Sequence, residues 1–169
     1  MSRAAVHSPS PSPGAPGVLL VDDNPDDLLF FQLAWEKAKL ANPVRAVSTR
    51  KEAMAYLEGH GKFADRLNYP LPSLVLLDLR LPDGNGCELV RWIRAHAQCH
   101  RMVLIILSGS AREGDIDEAY RSGANSFLLK SASPRDLEQM VSLIQSYWLL
   151  HNRAPQLLPI QGKSDPAKS

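Results

Sequence analysis

The 169-residue chain balances 19 Lys and Arg against 18 Asp and Glu, for a formal net charge of +1. Hydrophobic residues make up 44% and charged residues 22%, the range of soluble globular proteins rather than of disordered or membrane chains. Apolar runs such as Val18–Leu20 and Val103–Leu107 fall far short of the ~20 residues of a bilayer span, and no Lys/Arg block offers a nucleic-acid footprint.

Residues 1–16 are rich in Ser and Pro and lack the apolar stretch of a secretory signal, so a disordered leader and a cytoplasmic location are expected. Cys87 and Cys99 fit no metal-ligand spacing and read as reduced, packed thiols. From Gly17 onward, short Leu-rich or β-branched runs alternate with helical patterns, which argues for parallel strands joined by covering helices. Strands are expected at 18–22, 43–48, 74–78, 103–108 and 125–130. Three of them, at 18, 74 and 103, are apolar at successive positions, as expected for central strands covered on both faces.

The first helix starts clearly: Asn24 can cap, Pro25 suits the first position, and Asp26 and Asp27 favour the positive end of the helix dipole. Its apolar face is read as Leu28, Phe31 and Trp35 with Leu29, Leu33 and Leu40. A second helix is expected near 50–60, and a surface loop over 61–72. A third follows the Pro82–Gly86 turn and runs to about 97. A fourth spans roughly 112–122 and is stopped by Gly123. The last is capped by Ser133, opens on Pro134, and carries Leu137, Met140, Val141, Ile144 and Trp148 at helical spacing. The domain is therefore placed at 17–152, with a polar, proline-containing tail at 153–169 expected to be disordered.

In an open α/β sheet, ligands bind beyond the carboxyl ends of the strands. Strand one ends in Asp22 and Asp23, strand three in Asp78, strand four in Ser108 and strand five in Lys130. Three gathered carboxylates repel one another unless a cation offsets them. Mg²⁺ suits such a site, because it takes one or two carboxylates and fills its remaining positions with water and phosphate oxygens. A lysine ammonium and a serine hydroxyl complete the parts for phosphoryl transfer, where positioning and charge neutralisation do most of the catalysis.

The runs VLLVDDNPDD, LVLLDLRLPDGNG, VLIILSGSA and GANSFLLK together resemble the receiver domain of two-component response regulators. The resemblance implies a doubly wound, flavodoxin-like (βα)₅ fold, with a five-stranded parallel sheet and helices on both faces. It makes Asp78 the phosphorylated nucleophile in a phosphorelay. Asp22, Asp23, Asp78 and the main-chain carbonyl of Arg80 become the Mg²⁺ ligands, and Lys130 the phosphoryl-binding cation. Ser108 and Phe127 become the switch pair.

The family's usual proline after the lysine is replaced by Ser131, leaving a cis or a trans peptide open. The loop before strand three, the DLRLP turn and the aromatic helix end are similar to stand-alone regulators paired with bacterial phytochrome kinases. That likeness implies a sensor histidine kinase partner, a histidine phosphotransfer protein as another, and a homodimer with Tyr147 and Trp148 as anchors. Two other readings stand beside it: a phosphatase or phosphotransferase with a nucleophilic aspartate, and a pseudo-receiver scaffold that takes no phosphate. Dinucleotide binding fails, since Gly84-Asn85-Gly86 would need a glycine at Leu89.

Overall fold

A computed structural model describes residues 17–131 and 133–153; the expected leader and all but the first residue of the expected tail lie outside them. Five strands, β1 (Gly17–Val21), β2 (Val44–Val47), β3 (Pro72–Asp78), β4 (Val103–Ser108) and β5 (Ser126–Leu129), form one parallel sheet in the order β2-β1-β3-β4-β5. The order reverses between β1 and β3, so the chain is doubly wound. That reversal opens a crevice at their carboxyl ends.

Five helices cover the sheet: α1 (Pro25–Lys37), α2 (Arg50–Glu58), α3 (Gly86–Ala95), α4 (Glu113–Ser122) and α5 (Pro134–Ile144). Alternate residues of each central strand point to opposite faces, which divides the interior into two cores. Leu19, Leu77, Leu104 and Ile106 pack with α2, α3 and α4, whereas Leu20, Leu76, Ile105 and Leu107 pack with α1 and α5. None of the described helices is long and apolar enough to cross a membrane.

The α1 cap forms as expected, with the Asn24 side chain accepting from the backbone N–H groups of Asp26 and Asp27. The predicted face needs correction. Phe31 and Trp35 are buried, but Leu29 and Leu33 are each about half exposed, because only one stripe of a helix can meet the sheet. The segment 61–72 is also more than a surface loop. It opens on a single turn of 3₁₀ helix, Gly61–Phe63, and buries Phe63 edge-on against Tyr69 at 5.2 Å. Arg66 ties it down, donating to the carbonyls of Tyr56 and Leu57 at the end of α2 and of Tyr69 within the segment.

The turn before α3 is a two-residue antiparallel hairpin, Arg80–Leu81 against Gly84–Asn85, and Asn85 caps the helix. Beyond α5 the chain continues as a π-helical stretch, Gln145–His151. There Tyr147 is exposed while Trp148 packs against the α1/α5 core. Trp148 is thus partly buried and Tyr147 exposed, so Tyr147 offers the larger free area to a partner. Cys87 and Cys99 are free, buried thiols.

Candidate functional site

The carboxyl ends of β3, β4 and β5 bring Asp78, Ser108 and Lys130 to one cleft of about 430 Å³, lined also by Asp27, Arg80, Ser110 and Arg112. Asp22, at the end of β1, joins this cleft through Lys130. Its centre is the Lys130 ammonium. The nitrogen donates to Asp22 Oδ2 at 2.6 Å, to Asp78 Oδ2 at 2.7 Å and to Asp27 Oδ2 at 2.8 Å. Burial disfavours its charge, but the three carboxylates outweigh that cost and hold the pKa above the ordinary lysine value. Lys130 is a fixed cation in this cleft.

Asp22 is almost fully buried, and loss of water pushes its pKa up against the opposing bonds from Lys130 and the Asn24 N–H. Asp78 is held at both oxygens, by Lys130 at Oδ2 and by the Arg80 N–H at Oδ1, 3.1 Å away. Asp23 is exposed, and its carboxylate has no hydrogen-bond partner among the described residues. One carboxylate oxygen from each of Asp22, Asp23 and Asp78 lies within 4.8 Å of the others. An all-oxygen set with one free carboxylate fits a hard divalent cation, which would neutralise charge there when bound.

Two expectations are sharpened. The peptide between Lys130 and Ser131 is trans, as are the other described peptide bonds, and Lys130 still reaches the acids. Asp27, read from sequence only as a helix-dipole acid, is in fact a direct partner of Lys130. Its signal was helical spacing: one turn past Asp23, it lies over the same end of the sheet.

Ser108 is buried in the cleft wall, with its hydroxyl donating to the Ser110 carbonyl and accepting from the Ser110 N–H. It is engaged by its own loop rather than by Asp78. Phe127 is partly buried against the α2/α3/α4 core, so it has core contacts and some exposure together.

Gly86, the first residue of α3, explains how β3 is held in place. Its N–H donates to the Leu79 carbonyl at 2.7 Å, and a methyl group on it would collide with the Asp78 carbonyl oxygen. Gly86→Ala is expected to lower stability by roughly 1 to 3 kcal/mol, as overpacking does. It should also displace Asp78, seen as a lower melting temperature together with shifted Asp78 and Arg80 amide resonances.

A doubly wound parallel sheet with an acid pocket and a clamped lysine at its switch point defines the class of receiver-type α/β modules. The model of the response regulator receiver domain matches residues 18–142, and the chain belongs to that family. It is 33% identical to the probable methanogenesis regulatory protein FilR2 of Methanothrix harundinacea, over 82% of this chain and 86% of that one. Response regulator Rcp1 of Synechocystis sp. is 32% identical over 78% of this chain and 88% of its own. The Mn²⁺-bound structure of Rcp1 superposes with a TM-score of 0.73 at 30% identity, covering 83% of this chain and 100% of that one. The structure of the phosphorylated cyanobacterial phytochrome response regulator RcpA gives 0.78 at 33% identity, covering 85% and 100%.

Proposed function

We propose that this chain is a phosphoacceptor in a two-component phosphorelay, taking a phosphoryl group on Asp78 from a phosphohistidine. A carboxylate oxygen of Asp78 would form the P–O bond as the P–N bond breaks, with the electron pair leaving on the imidazole nitrogen. Asp22, Asp23, Asp78 and the Arg80 carbonyl would hold Mg²⁺, which neutralises charge on the transferring group. Lys130 fixes the acceptor carboxylate, and Ser108 would leave its Ser110 contacts to donate to the phosphoryl oxygens, with Phe127 turning inward beside it. The observation that carries this reading is Asp78, clamped by Lys130 on one side and beside the unpaired Asp23 on the other.

The donor would be a sensor histidine kinase. The likeness to RcpA and Rcp1 supports a phytochrome-type sensor as its input, with a histidine phosphotransfer protein as the other candidate partner. Output would pass through protein contacts in the cytoplasm. The exposed Tyr120, Leu129, Leu143 and Tyr147 on α4, β5, α5 and its extension support a homodimer through that face, with Tyr147 as an anchor.

Incubation with acetyl phosphate, with and without Mg²⁺, tests the reading: an Asp78 adduct should form only with the metal. A metal-independent adduct, or none, would sink it. The raised pKa of Asp22 adds a pH signature. A proton competes with the cation for that carboxylate. Because burial raises that pKa above the ordinary aspartate value, Mg²⁺ affinity should begin to fall at higher pH than at a solvated carboxylate site. Calorimetric titration of Mg²⁺ from neutral to mildly acid pH measures this.

A further inference from the structure

Lys130 has its three donor directions occupied by Asp22, Asp27 and Asp78. A phosphoryl group arriving on Asp78 brings at least one further negative charge into a pocket already holding three other aspartates. The ammonium can meet it only by releasing a carboxylate. Donors that are free at the start are therefore worth finding.

Two arginines line the cleft that Asp78 also lines. Arg80 and Arg112 are exposed, and among the described residues neither guanidinium has a hydrogen-bond or ion-pair partner. Several other arginines of the fold are spent structurally: Arg66 on the end of α2, Arg94 on the carbonyls of His100, Met102 and Gly123, and Arg50 on Asp83 and Glu88. A guanidinium presents a planar fork of N–H donors that matches phosphoryl oxygens.

Arg112 is also the residue from which α4 starts. Its carbonyl accepts from the N–H groups of Asp115 and Ile116. Side chains cap the other four helices, at Asn24, Thr49, Asn85 and Ser133, but none caps α4. Gly114 adds backbone freedom in that first turn, with open space around its Cα. The first turn of α4 is thus tied through the backbone of a residue that lines the same cleft as Asp78.

We infer that Arg80 and Arg112 form a pair of guanidinium grips for the phosphoryl group on Asp78, and that Arg112 transmits its arrival to the first turn of α4. This rests on Asp78 being the phosphoacceptor. It adds a route into α4 beside the movement of Ser108.

Trifluoroberyllate with Mg²⁺ is the probe, titrated into the full chain and followed by calorimetry and amide resonances. Arg80→Ala and Arg112→Ala should each weaken binding about tenfold, the scale of a lost charge-assisted hydrogen bond. The Arg121→Ala control, a solvated arginine paired with Asp117, should bind as wild type. In wild type the amides of Glu113–Ile116 should shift on binding. At saturating probe that shift should vanish in Arg112→Ala and persist in Arg80→Ala. Unchanged affinity in either arginine variant overturns the paired grip, and a retained α4 shift in Arg112→Ala overturns the transmission. Failure of the wild type itself to bind overturns the phosphoacceptor reading and this inference with it.

Discussion

Asp78→Asn is expected to remove the Mg²⁺-dependent acetyl phosphate adduct completely while leaving the fold intact. Asparagine has the same shape, and its carbonyl oxygen can still accept from the Arg80 N–H or from Lys130. What it lacks is the second anionic oxygen and the nucleophilicity of a carboxylate. Removing one negative charge from a group that repels its neighbours costs little, and the melting temperature should stay near wild type or rise. Intact-mass measurement after acetyl phosphate treatment reads the adduct, and thermal unfolding reads the fold. An adduct of equal yield in the variant would place the acceptor elsewhere.

Ile106→Ala is expected to give the largest loss of stability. Ile106 lies in the middle of β4, between β3 and β5, and is fully buried against the α2/α3/α4 core. Cutting it to alanine removes three carbons and leaves a void that a parallel sheet pinned by neighbours on both sides cannot close. Comparable core truncations cost roughly 2 to 5 kcal/mol, a large share of a net stability of about 5 to 15 kcal/mol. That corresponds to a fall in melting temperature on the order of 10 °C. Calorimetry decides it: a shift below a few degrees would mean that the core repacks.

The sheet was legible because parallel central strands need apolar residues on both faces, and the runs at Val18, Leu74 and Val103 have no other economical reading. Strand ends then bring Asp22, Asp23, Asp78, Ser108 and Lys130 together on pattern alone. Periodicity was less decisive on α1. Leucine and phenylalanine occur nearly all round it, so pattern alone could not say that Leu29 and Leu33 face outward. The buried role of Phe63 was hidden because prolines and glycines mark a segment as irregular without saying whether an aromatic within it turns inward.

Asp27 was missed for a related reason. An acid in a first helical turn has a sufficient local explanation, and its bond to Lys130 spans 103 residues of sequence.

The lysine knot has a consequence for how the protein comes into being. Asp22, Asp27 and Asp78 all leave the ribosome in the first half of the chain, and the ammonium that reconciles them comes only after β4 and α4. Until residue 130 is made and β5 joins the edge of the sheet, the acids repel one another and Asp78 lacks its clamp. On the proposed reading, a chain that stops short of residue 130 would offer Asp78 without its lysine clamp. On that same reading the site would be armed only once β5, which carries the chain to Lys130, has paired with β4, and phosphoryl acceptance would be confined to molecules whose sheet is complete.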